Sequence, residues 1–178
     1  MIALKLILVP TDFSEASEAA VKYGVALARA FNAQLHLLHS VVRHDLDVML
    51  ARQGVFETLV TGSAATQSPA DLEEIAHHAA RELLGKFLTE GEQRDLRVEY
   101  VLRATGLGGP SVEILHHAKE QDVDLIVMGT HGRGFAAHIL MGSVAESVVR
   151  RAPCPVLTVR HPEHEFVVPE EEAAPAEL

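Results

Sequence analysis

Short apolar segments alternate along this chain with longer segments of helical periodicity. Four of the apolar segments are nearly continuous runs, which is the pattern of strands covered on both faces. A fifth segment, from Val98 to Leu102, alternates apolar with charged residues and predicts a half-exposed strand at a sheet edge. The four nearly continuous runs are Leu4 to Val9, Gln34 to Val42, Asp124 to Met128 and Val156 to Arg160.

The segments between these runs predict helices. After Ser14, a residue type favoured at helix N-caps, small and apolar residues recur every three or four positions as far as Ala30. Asn32 and Ala33 then close that helix. Three further helices are predicted: Ser68 to about Glu90, Ser111 to Glu120 after a turn at Gly106 to Pro110, and about Ser143 to Arg151.

Strands that are separated by helices need crossover connections, which are right-handed and place the strands parallel to one another. The sequence therefore predicts an α/β fold, a single-domain Rossmann-like three-layer sandwich. Its five-stranded parallel sheet has the order 3-2-1-4-5, with helices on both faces. Pro10-Thr11-Asp12 is expected to end the first strand.

The 178 residues are divided into one domain and a tail. Residues 1–160 form the predicted domain. Within it, residues 43–67 are predicted to be an irregular insertion or mobile excursion, because they show no clear periodicity and contain glycines and a Ser/Thr-rich stretch. Residues 161–178 contain six glutamates and are predicted to be a disordered acidic tail.

Composition excludes several classes of function. The net charge of −10 disfavours a nonspecific nucleic-acid binder, and Cys154 is the sole cysteine, so no internal disulfide framework or multi-cysteine zinc site is possible. No segment approaches the roughly 20 apolar residues of a membrane helix, and the first 13 residues lack a signal-peptide pattern. We therefore expect a soluble cytoplasmic protein that binds neither nucleic acid nor membranes.

Two loops are expected to form a ligand crevice, because ligands of such sheets bind at the carboxyl ends of strands where the winding direction reverses. One loop follows the first strand at Pro10-Thr11-Asp12, and the other runs from Gly129 to Gly134 after the fourth. Glycines allow backbone to approach a ligand closely, and Gly142-Ser143 supplies amides at a helix N-terminus, where phosphate is favoured. No carboxylate occurs between Asp124 and Glu146, whereas His131, Arg133 and His138 do, so the region of the second loop also suits an anion.

The spacing of these residues resembles that of a known family. Gly129-x2-Gly132-x9-Gly142-Ser143 matches the G-x2-G-x9-G-[ST] motif of ATP-binding universal stress proteins. Similar segments are Ile7 to Ser14, Leu37-Leu38-His39, Ile126 to Gly132 and Cys154 to Val159, so the resemblance covers about Leu4 to Arg160.

The resemblance implies a nucleotide site, residue by residue. Thr11 and Asp12 would hold the adenine and ribose end, Pro10 would shape the turn, and Ser40 would line the base pocket. Met128 and Gly129 would lie near the base and ribose. The phosphates would be surrounded by Gly132, Arg133, Gly142, Ser143 and Val144. His131 is a further candidate contact of the nucleotide. The implied cofactor is ATP with Mg²⁺, and the implied assembly is a homodimer through Val156 to Val159.

Three functions remain open from the sequence. The first is an ATP-binding stress-response regulator whose nucleotide occupancy changes its choice of an unidentified regulatory protein partner. The second is a slow ATPase or autophosphorylating enzyme in which Asp12 or a divalent ion aligns water and Arg133 steadies charge. The third is a nucleotide-free interaction module, which the retained glycine motif disfavours. No nucleophile elbow, Walker loop or dinucleotide fingerprint occurs.

The histidines and the cysteine fit simple structural roles better than metal binding or nucleophilic chemistry. His77-His78 and His116-His117 are adjacent pairs on predicted helices, whose side chains point about 100° apart and cannot easily grip one ion. We therefore expect solvated or capping roles for them and no metal site. Cys154, between two prolines, is expected to be a small packed residue rather than a nucleophile.

Overall fold

The computed structural model describes residues 2–42, 78, 81–106, 108–131 and 141–160. Five parallel strands form one sheet in the order β3-β2-β1-β4-β5, which confirms the predicted topology. The strands are β1 (Leu6–Thr11), β2 (Gln34–Val42), β3 (Val98–Thr105), β4 (Leu125–Gly129) and β5 (Val156–Val159). The predicted insertion at 43–67 and the predicted tail at 161–178 lie outside the described residues.

Four α-helices whose bounds the structure describes are placed around this sheet: α1 (Glu15–Phe31), α2 (Glu90–Asp95), α3 (Pro110–Glu120) and α4 (Ser143–Arg151). Residues 78 and 81–84, between α1 and α2, are also helical. The predicted N-cap of α1 is confirmed, because the Ser14 side chain accepts a hydrogen bond from the Ser17 amide. Asn32 ends the same helix in a left-handed conformation with φ 51°. None of the described helices is long and apolar enough to cross a membrane.

Two apolar cores lie on opposite faces of the sheet, and they make the three layers. On one face, β1 and β2 residues such as Val9 and Leu37 pack with α1 and with Leu84 and Leu88. On the other face, a second cluster includes Leu8, Ile126, Ile114 of α3 and Val148 of α4. Successive residues of a strand point to opposite faces, so each strand contributes to both cores.

The first strand extends further than expected. Pro10 was expected to end it, but β1 continues through Thr11. Backbone groups along a central parallel strand bond alternately to its two neighbours, and Leu6 bonds toward β4, so Pro10 also faces β4. The pairing of β1 with β4 ends at Leu8 opposite Ile126. The end of this pairing coincides with Pro10, which has no N–H to donate to β4.

The helix predicted from Ser68 to about Glu90 does not end as expected. Residues 81–84 are helical and a 3₁₀ turn follows at Gly85–Phe87, but Leu88 is extended with ψ 140°. Thr89 then begins a separate helix, α2, through a capping box with Glu92. The sequence signal T-x-x-E was present, and the capping box rather than apolar periodicity determines this boundary.

Candidate functional site

The turn from β1 into α1 is held by its own polar side chains. The Thr11 hydroxyl lies 2.9 Å from the Ser17 hydroxyl and accepts a hydrogen bond from the Phe13 amide. Asp12 Oδ1 accepts hydrogen bonds from both the amide and the hydroxyl of Ser14, at 3.1 and 2.6 Å. Asp12 thus has the helix N-terminal role that its sequence position favours, and its half-buried carboxylate lies at the carboxyl end of β1.

Gly129, at the carboxyl end of β4, packs directly on the first turn of α1. A Cβ at Gly129 would lie 2.9 Å from the carbonyl carbon and oxygen of Ala16. The sequence associated this glycine with close approach of a ligand, but the backbone that approaches it is that of α1. The contact brings the two predicted loops together, since Ala16 lies just beyond Asp12.

The ends of the β4–α4 loop are tied together. The Gly142 amide donates to the Thr130 carbonyl at 2.8 Å, and the Thr130 amide donates to the Val159 carbonyl. Gly142 therefore lies beside the carboxyl end of β4 and forms the N-cap of α4. The candidate crevice is defined by Asp12 on one side and by Gly129, Thr130, Gly142 and Ser143 on the other.

Among the described residues, no side chain caps the backbone amides at the N-terminus of α4. Gly142 has no side chain, and no capping hydrogen bond is made to α4 within the described residues. The Ser14 side chain, by contrast, caps α1, whose first turn also carries Glu15 and Glu18. The first amides of α4 therefore retain their donor capacity and the positive end of the helix dipole, which is the chemistry that anions require.

The other predicted site residues occupy different positions. Met128 is 5% exposed and packs into the core with Val148, and Val144 packs partly against the same cluster. Ser40 lies at the carboxyl edge of the sheet, one strand beyond β1, and its hydroxyl pairs with that of Thr105 at 2.7 Å. His131 Nδ1 lies 2.9 Å from the Thr130 hydroxyl. Gly132 and Arg133 lie outside the described residues, as does His138.

Two residues, one in the turn and one that contacts it from β2, were not identified from the sequence. His39 Nδ1–H donates to the Thr11 carbonyl at 2.7 Å, and Phe13 adopts a left-handed backbone with φ 62°. The sequence signal for His39 was its ionisable ring in an otherwise apolar strand. For Phe13 there was none, because an aromatic residue seldom adopts this conformation.

The expectation that the histidine pairs are solvated or capping is wrong for His117. It is 2% exposed, and its Nε2 lies 2.9 Å from Nδ1 of His36, itself 2% exposed. Arg103 can only donate, and it lies 3.1 Å from His117 Nδ1, so the His117 proton is on Nε2 and points to His36. The remaining nitrogen of His36 lies 3.2 Å from a Glu99 carboxylate oxygen.

These two histidines are held in their neutral forms by burial. The pKa of His117 is lowered to about 4, chiefly by desolvation and also by the neighbouring His36 and Arg103, against the raising effect of Glu120. Desolvation also lowers the pKa of His36, against the raising effect of Glu99. The pair packs between β2 and α3 and is a core feature remote from the crevice.

Neither metal nor thiol chemistry is assembled in the part of the chain that the structure describes. No group of three or more His, Cys, Asp or Glu side chains is placed to hold a metal ion there. Burial raises the pKa of the Cys154 thiol, and the Asp124 carboxylate raises it further. Such a thiol is mostly protonated at neutral pH, which suits the packing role predicted for it.

The fold defines the class first: this is a doubly wound parallel α/β protein whose winding direction reverses between β1 and β4. The family then follows from comparison with known proteins. The model of the universal stress protein family matches residues 4–160, and the chain belongs to that family.

Individual relatives agree with this assignment. Universal stress protein MJ0531 of Methanocaldococcus jannaschii is 32% identical over 161 residues, which cover 90% of this chain and 85% of the relative. The solved structure of protein MJ0577 has a TM-score of 0.57 and 27% identity, and covers 92% of this chain and 100% of its own. A universal stress protein solved in complex with cAMP has a TM-score of 0.53 and 23% identity, with 89% and 98% covered.

Proposed function

We propose that this protein is an ATP-binding regulatory protein of the universal stress type, acting in the cytoplasm as a nucleotide-dependent dimeric switch. The observation that carries the proposal is the N-terminus of α4, which no side chain of the described residues caps and which lies beside the carboxyl end of β4, where the sheet changes its winding direction. The phosphates of the nucleotide would bind the amides of Ser143 and Val144 and the Ser143 hydroxyl. Gly132 and Arg133 would complete this phosphate site.

Asp12 would bind the ribose end of the nucleotide. Its Oδ1 already accepts two hydrogen bonds from Ser14, which fixes the orientation of the carboxylate at the end of β1. A carboxylate suits the donors of ribose hydroxyls. The base would lie toward Thr11 and Ser40, at the ends of β1 and β2. One protein of the same fold binds cAMP, and the motif resemblance extends the expectation of an adenine nucleotide to this chain.

Magnesium would bind together with ATP, coordinated by the phosphate oxygens. Among the described residues no cluster of three potential ligands is present, so the chemistry of this part of the crevice fits an ion held mainly by phosphate oxygens and water. The protein would contribute the amides and the positive helix end that orient the phosphate chain.

Calorimetry with two substitutions at one position tests the phosphate site. Ser143→Ala removes the hydroxyl and keeps the amide, whereas Ser143→Pro removes both. Proline is tolerated at the first position of a helix, as Pro110 of α3 shows, and Gly142 has the extended ψ of 155° that a residue before proline requires. Ser143→Pro therefore deletes one donor amide without breaking α4.

We expect Mg-ATP affinity to fall about tenfold in Ser143→Ala and about a hundredfold in Ser143→Pro, because hydrogen bonds to charged phosphate are individually strong. Adenosine affinity should be unchanged, and AMP should bind more weakly than ATP to the wild-type protein. The protein must first be shown to be nucleotide-free by its ultraviolet spectrum. If ATP gives neither binding heat nor thermal stabilisation, the proposal fails and the nucleotide-free interaction module replaces it.

The proposed homodimer would form through β5. This strand is at the sheet edge, is apolar from Val156 to Val159, and exposes 37% of Leu157. An edge strand with exposed apolar side chains can pair with its copy across a two-fold axis. We expect a dimer by sedimentation, and Leu157→Lys should shift it toward monomer. A wild-type monomer at high micromolar concentration would remove the dimer from the proposal.

The hydrolytic alternative is tested in the same samples. Slow ATPase or autophosphorylation activity would appear as phosphate release, or as labelled protein, above the level of a Gly132→Ala variant. Phosphate release at background in both proteins would exclude turnover while leaving nucleotide binding intact.

A further inference from the structure

Phe13 has a backbone conformation that an aromatic residue rarely adopts. Its φ of 62° lies in the left-handed region, where a Cβ crowds the backbone. The residue follows Asp12 directly in the turn from β1 to α1. Such conformations persist only where surrounding groups hold them, and they occur preferentially at functional sites.

Two rings hold Phe13 in this conformation. The ring of Phe87 is stacked on it, with centroids 5.3 Å apart and an angle of 14° between the planes. The ring of His39 meets it edge-on at 4.5 Å and 63°. Both arrangements are among the favourable geometries of aromatic pairs. The Phe13 conformation is therefore supported from β2 and from the 3₁₀ turn before α2.

His39 also fixes the residue on the other side of Asp12. Its Nδ1–H donates to the Thr11 carbonyl, and Thr11 is paired with His39 in the register of the sheet. Asp12 thus lies between a carbonyl held by His39 and a backbone turn held by the rings of His39 and Phe87. Its own carboxylate is fixed by Ser14 within the same turn.

The position of Phe87 is itself set by polar contacts. Gln93 of α2 donates from its side-chain amide to the carbonyls of Gly85 and Leu88, at 2.9 and 3.2 Å. These bonds tie both ends of the 3₁₀ turn to α2. Phe87 therefore presents its ring to Phe13 from a segment that makes no backbone pairing with β1.

We propose that Phe87 and His39 are positioning residues of the nucleotide site, which hold Phe13 left-handed and thereby preset Asp12 for the ribose. This inference rests on the proposed ATP binding. Neither ring needs to touch the nucleotide. Removing the ring of Phe87 lowers the fraction of molecules whose turn is competent to bind, and the apparent affinity falls by the same factor.

A double-mutant cycle tests the proposal in the full-length, nucleotide-free protein. Phe87→Leu should weaken Mg-ATP binding about threefold to tenfold, the range that the loss of one aromatic pair supplies. Phe87→Tyr keeps the ring and should bind as the wild type does. Phe31→Leu makes the same chemical change at an exposed residue at the end of α1 and should have no effect.

The decisive comparison uses Phe13→Gly, because glycine adopts left-handed conformations without support. In that background Phe87→Leu should cause no further loss of ATP affinity. An equal loss in both backgrounds, or no loss in the wild-type background, would overturn the proposal. Thermal melting of each variant shows that folded proteins are being compared.

A measurement without nucleotide separates this inference from the proposed function. The amide-to-Hα scalar coupling and the carbon shifts of Phe13 report its φ in solution. We expect left-handed values in the wild type and a shift toward ordinary values in Phe87→Leu. If the wild type binds no ATP, the proposed function fails. The coupling and carbon shifts of Phe13 then decide by themselves whether the two rings preset the turn at Asp12. If these values are the same in Phe87→Leu as in the wild type, the inference is overturned.

Discussion

Acid should destabilise this fold through the buried pair of His117 and His36. In the unfolded chain a histidine takes up a proton near pH 6.5, whereas burial lowers the pKa of folded His117 to about 4. The unfolded state therefore binds more protons between these values, and stability falls as the pH falls through this range. The stabilisation is fully present above about pH 6.5.

The size of the effect follows from the difference between the two pKa values of His117. Each pKa unit corresponds to about 1.4 kcal/mol, so the difference amounts to about 3 kcal/mol when the pH has fallen to the folded pKa. His36 acts in the same direction because its pKa is also lowered. The charged groups that face the pair are Glu99, Arg103 and Glu120.

Urea denaturation measured from about pH 7.5 to about pH 4.5 tests this reasoning. The wild-type protein should lose about 2 to 3 kcal/mol more of its unfolding free energy than His117→Gln, which has no titrating ring at that position. His116→Gln is the matched control, because the neighbouring side chain is exposed and its replacement should leave the wild-type pH dependence intact. Parallel pH profiles for the wild type and His117→Gln would refute the reasoning.

Three further substitutions have expected effects on the free energy of unfolding. Gly129→Ala should destabilise by about 1 to 3 kcal/mol, because its Cβ would meet the backbone of α1 at 2.9 Å. Thr89→Ala should cost about 1 kcal/mol by removing the capping box of α2. Asp124→Ala should cost about 2 to 3 kcal/mol, because Asp124 Oδ2 accepts hydrogen bonds from two amides at the start of β1, at 2.7 and 2.9 Å. All three are measured by urea denaturation at neutral pH.

Each of these substitutions has a matched control. Gly91→Ala adds a methyl group in ordinary van der Waals surroundings within α2 and should stabilise slightly, so equal destabilisation by Gly91→Ala and Gly129→Ala would contradict the packing argument. Thr89→Ser keeps the capping hydroxyl and should resemble the wild type. Asp124→Asn keeps an acceptor oxygen, and a loss as large as that of the alanine variant would show that charge, rather than hydrogen-bond acceptance, stabilises β1.

Much of the fold could be predicted because its elements have local signals. The run of Leu, Ile and Val in β4 and the cap at Ser14 each involve residues that are near one another in the chain. The bounds of β2 and α4 agree with the periodicity. The strand order followed from the connection rules for alternating strands and helices. Where local signals competed, as at Thr89, apolar periodicity predicted one long helix and the capping box divided it.

The candidate site was predicted less completely, because several of its contacts join distant parts of the chain. The sequence placed Gly129 and Gly142 in one motif, but only packing revealed that Gly129 accommodates Ala16 and that Gly142 is bonded to Thr130. The left-handed turn at Phe13 depends on rings from β2 and from the segment before α2. A residue's own propensity carries no information about such support.

The sequence by itself determined the alternation of strands and helices and the crossover topology. The tertiary structure decided which partners the buried polar groups have. Helical spacing from Ile114 can place His117 on a buried face, but its partner His36 is 81 residues away and on a strand. Burial between β2 and α3 is what lowers the pKa of this pair, since desolvation depends on all the atoms packed around a group and not on its neighbours in the chain.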